Sequence, residues 1–206
     1  MKILVINPGG TSTKIAVFED EEELFKENIT HTGEDLKGFP HVFDQFGYRK
    51  DIILETLKKA GFEIRTFAAV AGRGGLMNPI PGGTYTVNSR MVEDLRGAIH
   101  GEHPSNLGAV LAKEIGDEIG ASSFVVDPVS VDELMPKARI SGISDLERPS
   151  WFHALNHKAV ARWTAERIGK KYEDCNLIIA HLGSGNSIVA HRKGRMVDGS
   201  GGRTNG

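Results

Sequence analysis

The feature of this sequence that most restricts its fold is a pattern of two apolar strands joined by a glycine-rich turn, which occurs twice. The first copy is ILVINPGGTSTKIAVF, near the start of the chain, and the second is LIIAHLGSGNSIVAH, near its end. In both copies an apolar run ends in a polar residue, a Gly/Ser/Thr turn follows, and an apolar run resumes, so that Asn7 corresponds to His181 and Gly9 to Gly183. This internal repeat predicts two similar domains, each containing such a hairpin.

The chemistry of the two turns indicates phosphate binding. The first turn lacks the spacing of the common P-loop, because Gly10 is followed by Thr-Ser-Thr and Lys14 rather than by four residues and Gly-Lys-Ser/Thr. The apolar, partly β-branched residues 15–18 predict a second strand instead of a helix. Two hairpins of this kind would grip a polyphosphate from two sides. The alternative is a chance similarity between two ordinary glycine-turned hairpins.

Composition predicts a globular α/β protein of the cytoplasm. The chain has 206 residues, 39% hydrophobic and 25% charged, with a formal net charge of −2, so it lacks the basic excess typical of nucleic-acid binders. The first apolar run, residues 3–6, is too short for a signal-peptide core or a membrane span. A single cysteine, Cys175, excludes an internal disulfide and fits a reducing compartment.

Between the two hairpins, periodicity predicts alternating strands and helices. Residues 33–50 are expected to be irregular or weakly helical, and a helix is expected from Asp51 to a cap at Gly61. FAAVAGRGG indicates a buried strand that runs into a glycine loop, and SSFVVDP a strand with Asp127 at its C-terminal end. Three further helices are expected. The first would be capped by Asn88 or Ser89, the second by Ser105 and the third by Ser150.

The end of the sequence differs from the rest. After Val197 the chain is DGSGGRTNG, in which no apolar residue remains to be buried. We therefore expect an N-terminal domain at residues 1–150, an incomplete second domain at 151–198, and a disordered tail at 199–206.

Six motifs in order resemble the butyrate kinases of the acetate kinase family. They are INPGGTSTK, GRGGL with PIPGGTY, GEHPSNLGA, VVDPVSVDE, FHALNHKAVA and HLGSGNSIVAHRKGRMVD, and together they extend from residue 1 to about residue 198. This family lies within the group of acetate and sugar kinases, heat-shock ATPases and actin. The resemblance implies an actin-like ATPase (ribonuclease H-like) α/β domain, with a mixed sheet flanked by helices, and the opening hairpin of a second, similar domain.

The activity implied by the resemblance is reversible transfer of the γ-phosphoryl group of ATP to a short-chain carboxylate, in the presence of Mg²⁺. Butyrate is the expected acid and butanoyl phosphate the product. Because a carboxylate is already ionised at neutral pH, the reaction needs no general base; it needs a cation for the carboxylate, donors for the phosphoryl oxygens and a metal ion. Homo-oligomers are possible for the full-length family and are not expected for this chain.

Three residues match the catalytic positions of the family. Arg73, in the glycine loop, matches the arginine that binds the carboxylate or acyl phosphate, although by position alone it is equally a surface arginine in a turn. Asp127 matches the active-site aspartate, which would hold Mg²⁺, a water molecule or an arginine; by position alone it is as readily a turn cap. His153 matches the histidine that donates to the transferred phosphoryl group.

The remaining matches are phosphate-binding residues of the two turns. They are Asn7, which is also a candidate Mg²⁺ ligand, with Thr11, Ser12 and Lys14 in the first turn, and His181, Gly183, Ser184 and Gly185 in the second. His157 lies one helical turn from His153, but the pair lacks the glutamate of H-E-x-x-H and a third ligand, so a zinc site is not expected and His157 is interpreted as structural, as is His103.

The sequence leaves several functions open. The family has a second essential arginine and an adenosine-binding region beyond the position of Asp198, and Arg203 does not lie in the matching context. The chain is therefore either a butyrate kinase, a kinase for branched or other short-chain acids, or a non-catalytic remnant of such an enzyme. A nucleotide-driven binding module of the same superfamily is the remaining alternative, and the substrate-type arginine Arg73 argues against it.

Overall fold

A computed structural model of the protein describes residues 1–183 and 185–202, which form two compact units. The first consists of Met1–Met77 and Thr84–Val126, and the second of Asn78–Gly83 and Asp127–Gly206. The predicted boundary at residue 150 thus lies inside the second unit. The reason is packing: Val131 belongs to the same buried apolar cluster as Phe152 and Val189, which follow that boundary.

The first unit is built on a mixed six-stranded sheet with the strand order β3-β2-β1-β4-β6-β5. Its parallel pairs are β1 with β4 and β4 with β6, and the other pairs are antiparallel. The strands are β1 (Lys2–Pro8), β2 (Ser12–Glu19), β3 (Glu22–Thr30), β4 (Ala69–Gly72), β5 (Thr84–Thr86) and β6 (Ser122–Val126). The helices are α1 (Gly33–Leu36), α2 (Phe46–Lys59), α3 (Ser89–Arg96) and α4 (Asn106–Ile119).

The core of the first unit lies between this sheet and its two longer helices. Leu4 and Ile6 of β1 are fully buried at alternate positions, as expected of a strand with one face in the core. The buried residues of α4 include Leu107, Leu111 and Ile115, whose spacing of four residues places them on one face of the helix. Each such side chain contributes about 1.5–3 kcal/mol by leaving water.

The helix boundaries predicted from sequence are right in part. Asn88 caps α3, because its side-chain oxygen accepts a hydrogen bond from the amide of Met91 at 2.9 Å. The segment 33–50 is more ordered than expected: it contains α1, and α2 begins at Phe46 rather than at Asp51. Burial of aromatic side chains explains this difference, because Phe46 packs against the core of the first unit.

The second unit contains a three-stranded antiparallel sheet with the order β11-β10-β9, one long helix and a small hairpin. Its elements are β7 (Ile140–Ile143), β8 (Leu146–Glu147), α5 (Ala154–Arg167), β9 (Asn176–His181), β10 (Ser187–Arg192) and β11 (Arg195–Gly201). The strands β9, β10 and β11 have the same consecutive antiparallel pairing as β1, β2 and β3, so the two repeated sequences form the same arrangement.

Two predictions about the second unit are wrong. Ser150 does not cap α5; its hydroxyl donates to the carbonyl of Val131 at 2.8 Å, and the helix begins after His153. The expected disorder after residue 198 does not hold for residues 199–201, which pair with β10 in β11. A strand ladder is made by backbone groups, so this glycine-rich segment needs no apolar side chains to join it. Residues 203–206 lie outside the described part of the chain.

Helices α2, α4 and α5 have fourteen residues each. No helix in the described part of the chain is long and apolar enough to cross a membrane.

In the first unit the backbone of α4 lies against the end of β4. A Cβ atom added at Gly108 would lie 2.1 Å from the carbonyl oxygen of Arg73, and one added at Gly72 would lie 2.1 Å from the carbonyl oxygen of Gly108. The amide of Arg73 also donates to the carbonyl of Ile6 at 2.9 Å. These contacts fix the backbone of Gly72 and Arg73, where the chain leaves the sheet.

We therefore expect Gly108→Ala to destabilise the protein. The added methyl group would meet backbone, which cannot move as a side chain can, so the free energy of unfolding should fall by roughly 1–3 kcal/mol or more. Gly47→Ala is the matched control, because Gly47 is also helical and nothing lies within 4 Å of its added Cβ. That variant should be neutral or stabilised by up to about 1 kcal/mol. Urea unfolding measures both; equal effects would contradict the close approach.

Candidate active site

In the first unit, the turn between β1 and β2 and the strand ends beside it contain four of the eight predicted phosphate-binding residues. The amide of Gly9 donates to the carbonyl of Ser12 at 2.7 Å, and the carbonyl of Thr11 accepts from the amide of His31 at 2.8 Å. Asn7 and Lys14 are partners across the hairpin, and the side chains of Thr11 and Lys14 are exposed. The turn is thus held by its own backbone and presents two polar side chains to solvent.

A buried cation supports this turn from behind. Arg49 is fully buried, and its guanidinium donates to the carbonyls of Gly10 and Ser12, both at 3.3 Å, and to the hydroxyl of Thr13 at 2.9 Å. Gln45 accepts two further hydrogen bonds from it. Burial lowers the pKa of Arg49. Its partners in the described part of the chain are neutral oxygens, so its charge favours an anion near the turn.

Arg73 follows the last residue of β4, and its side chain is half-buried. Its guanidinium donates to the side-chain oxygen of Asn7 at 3.3 Å. Within residues 1–183 and 185–202, no carboxylate lies within 4 Å of it. Burial lowers the pKa of Arg73, but an arginine remains protonated at neutral pH. Amongst the described residues this half-buried guanidinium donates to one side-chain amide oxygen, so it has donors left for an anionic ligand.

In the second unit, Asp127 follows β6 directly and is fully buried, with a φ of +40°. One carboxylate oxygen accepts from the amide of Gly83 at 2.8 Å, and the other from the guanidinium of Arg162 at 2.9 Å. Of the three partners that the sequence left open for this aspartate, the structure therefore contains the arginine. Arg162, on α5, is half exposed, so its cationic group remains accessible to an anion.

His153, immediately before α5, lies beside the turn that joins β9 and β10. A Cβ atom added at Gly185 would lie 3.1 Å from Nε2 of His153, so this nitrogen is next to the turn. The ring of His181 stacks on that of His153, with centroids 3.9 Å apart and planes 11° apart. The amide of Gly183 donates to the side chain of Asn186 at 3.0 Å. Four predicted residues, His153, His181, Gly183 and Gly185, thus come together here, while Ser184 lies outside the described residues.

The described residues do not form a metal site of their own. They contain no group of three or more His, Cys, Asp and Glu side chains arranged to hold a metal ion. Asn7 already accepts a hydrogen bond from Arg73, and the carboxylate of Asp127 is bonded to Arg162. Mg²⁺ is usually held by one or two carboxylates together with substrate phosphates. These side chains do not fit a site in which the protein alone binds Mg²⁺.

Comparison with known sequences finds one matching family model and several similar proteins. Residues 146–205 match the sequence model of the Acetokinase family. The chain is 53% identical over 197 residues to a probable butyrate kinase of Clostridium botulinum strain Eklund 17B, and 50% identical over 197 residues to butyrate kinase 1 of Clostridium acetobutylicum. Over these residues the chain is similar to proteins named butyrate kinase. Each alignment covers 96% of this chain and 56% of the relative, so the chain spans little more than half the length of these relatives.

Comparison with solved structures confirms the predicted fold class. Acetate kinase of Porphyromonas gingivalis superposes with a TM-score of 0.72 at 18% identity, covering 99% of this chain and 58% of that one. A propionate kinase of Francisella tularensis gives a TM-score of 0.69 at 17% identity, covering 98% and 57%. At these identities the likeness concerns the fold: this chain has the α/β fold, with a mixed sheet and flanking helices, of those kinases.

Several residues around the site were not identified from sequence. Arg49 lies in a segment expected to be irregular, and Arg162 and Ser187 lie in a helix and a strand without any local signal. Asn156, whose side-chain nitrogen is 2.9 Å from Nδ1 of His181, is the one for which a signal existed, because it lies only three residues after His153, in the first turn of α5.

A buried ion pair fixes α5 in the second unit. Lys158 contacts Glu133 at 2.9 Å, and both side chains are more than nine-tenths buried. Glu133 also accepts hydrogen bonds from the amides of Gly82 and Met196, at 3.0 and 2.8 Å. Burial by itself raises the pKa of Glu133, but these hydrogen bonds outweigh it and lower the pKa. The pair therefore connects the glycine turn, the helix and β11.

Two buried imidazoles lie behind His153. Ser187 is 2.8 Å from Nε2 of His157, and the hydroxyl of Tyr172 is 2.6 Å from Nδ1 of His191. Burial lowers the pKa of both histidines to about 4; nearby histidines add to the effect for His157, and Lys158 does so for His191. The rings are therefore neutral in the folded protein at neutral pH.

This predicts a loss of stability in mild acid. Between pH 6.5 and pH 4 the unfolded chain binds protons at His157 and His191 that the folded chain does not, so the free energy of unfolding falls as the pH falls. Each histidine should contribute a loss of about 2 kcal/mol between pH 7 and pH 5. Urea unfolding at the two pH values measures the total.

The matched variants are His191→Gln and His41→Gln, since the ring of His41 is exposed. The first should reduce the loss between pH 7 and pH 5 by about 2 kcal/mol, and the second should leave it unchanged. Equal losses in the two variants would contradict the assignment to buried imidazoles.

Proposed function

We propose that this protein takes part in reversible phosphoryl transfer between ATP and a short-chain carboxylate, with butyrate as the acid and butanoyl phosphate as the product. Its similarity to proteins named butyrate kinase supports the reaction class. The observation that carries the proposal is Arg73: a half-buried guanidinium bonded to an amide oxygen and not to a carboxylate in the described residues.

In this proposal Arg73 binds the carboxylate of the acid. A guanidinium offers two parallel N–H donors that match a carboxylate, and partial burial strengthens the attraction by excluding water. Asn7 accepts one hydrogen bond from the guanidinium and so limits its orientation. Since the bound acid is already an anion, the attacking oxygen exists without proton removal.

In each unit, the glycine-rich turn would bind phosphate. Near the second turn, His153 offers a ring nitrogen beside Gly185, and a Cβ atom added at Gly183 would lie 3.8 Å from Nε2 of His181. Arg162, held by the buried Asp127, would contribute a cation to the transferred group. In the first turn, Thr11, Ser12 and Lys14 would contact the nucleotide, and buried Arg49 adds positive potential.

Mg²⁺ would reach the site on the phosphates of ATP. When bound there, it would neutralise charge on the phosphoryl oxygens. Because Asn7 is bonded to Arg73, we do not propose Asn7 as its ligand.

The second candidate is a non-catalytic protein that binds the acid or the acyl phosphate without transferring the group. The observation behind it is the same half-buried guanidinium of Arg73, which can bind an anion whether or not a phosphoryl group is then transferred. In that case the anion-binding groups around Arg73 would bind a ligand in the absence of turnover.

The decisive experiment is acyl-hydroxamate formation by the purified chain with Mg-ATP and hydroxylamine, with acetate, butyrate and isobutyrate tested in parallel. We expect turnover that is fastest with one of the two four-carbon acids. Arg73→Ala should lower kcat/KM by about 10³-fold, because it removes a cation that binds the anionic acid.

The control is Arg65→Ala, the same change at an exposed arginine, which should leave kcat/KM within about twofold. If neither protein forms hydroxamate, calorimetric titration with butanoyl phosphate separates the two candidates. Binding that is lost in Arg73→Ala supports the non-catalytic protein, whereas the absence of both turnover and binding in a folded chain rejects both.

A further inference from the structure

The hydroxyl of Ser187 lies between two histidines. Its oxygen is 2.8 Å from Nδ1 of His153 and 2.8 Å from Nε2 of His157. Ser187 and His157 are both almost fully buried. A serine has one proton to donate, so with two neutral imidazoles it donates to one ring and accepts from the other. Only two arrangements of protons are therefore possible.

The other nitrogen of His157 distinguishes these arrangements. Nδ1 of His157 is buried and has no hydrogen-bond partner amongst the described residues. If Ser187 donated to Nε2 of His157, the proton of that ring would be on Nδ1, as a buried N–H without a partner. Such groups are rarer in proteins than bare acceptors. In the favoured arrangement His157 donates from Nε2 to Ser187, and Ser187 donates to Nδ1 of His153.

We propose that Ser187 is a positioning residue that keeps neutral His153 in the tautomer with its proton on Nε2. His157 orients the hydroxyl of Ser187 by donating to it from Nε2. Nε2 of His153 is the nitrogen beside Gly185, so the proton points towards the second turn. There it would donate to a phosphoryl oxygen, a use that rests on the proposed function. The tautomer itself does not depend on that function.

The test is a long-range ¹H–¹⁵N correlation spectrum of the whole chain, which distinguishes the two neutral tautomers of each histidine. In the unaltered protein at neutral pH, His153 should show a protonated Nε2 and a bare Nδ1. Ser187→Ala removes the donor to Nδ1, and the spectrum should then show a mixture of tautomers for His153.

The control is Ser200→Ala, because Ser200 is exposed on β11 opposite Ile188 of β10. This variant should keep the single tautomer, and Ser187→Thr, which retains a hydroxyl, should keep it too. A protonated Nδ1 in the unaltered protein, or an unchanged spectrum in a folded Ser187→Ala variant, overturns the proposal. If Ser187→Ala does not fold, the unaltered protein and Ser187→Thr still decide the question.

The outcome is separate from that of the proposed function. A chain that forms no hydroxamate can still show the Nε2 tautomer, which would support the role of Ser187 and reject the reaction. Turnover together with the Nδ1 tautomer would support the reaction and reject the role of Ser187.

Discussion

The close approach of a helix backbone to a strand backbone is the contact on which the first unit depends. Gly72 and Gly108 have no side chains, and a Cβ atom at either would lie 2.1 Å from a carbonyl oxygen of the other segment. This contact holds α4 against the end of β4, where Arg73 follows. Because β4 pairs with β1, the same contact brings Arg73 to Asn7 and to the turn that Arg49 supports.

The arrangement of the second unit depends more on buried polar side chains. Glu133 and Lys158 form an ion pair away from water, and such a pair is tolerated only when further hydrogen bonds satisfy both groups, as the amides of Gly82 and Met196 do for the glutamate. Beside it, neutral imidazoles and Ser187 form a second polar network. A core of this kind specifies orientation, because each donor has few acceptors within reach.

Local patterns in the sequence predicted the fold well where local chemistry decides it. The two glycine-turned hairpins, the strand before Arg73 and the cap at Asn88 follow from alternation and turn residues. Long-range packing decided the rest: α2 begins earlier because Phe46 packs against the core, and residues 199–201 are ordered by backbone pairing. In the site, the motifs named Arg73 and His153, whereas partners such as Ser187 lie 34 residues from His153 and become neighbours only in the folded chain.

An amide NMR titration of the chain with butyrate and with butanoyl phosphate would show whether Arg73 binds a carboxylate. We expect saturable shifts for the amides of residues 72–75 and Asn7, because the anion would bind at the guanidinium of Arg73. Saturable shifts confined to other surfaces, or no saturable shifts in a folded protein, would contradict the claim that Arg73 forms a carboxylate site.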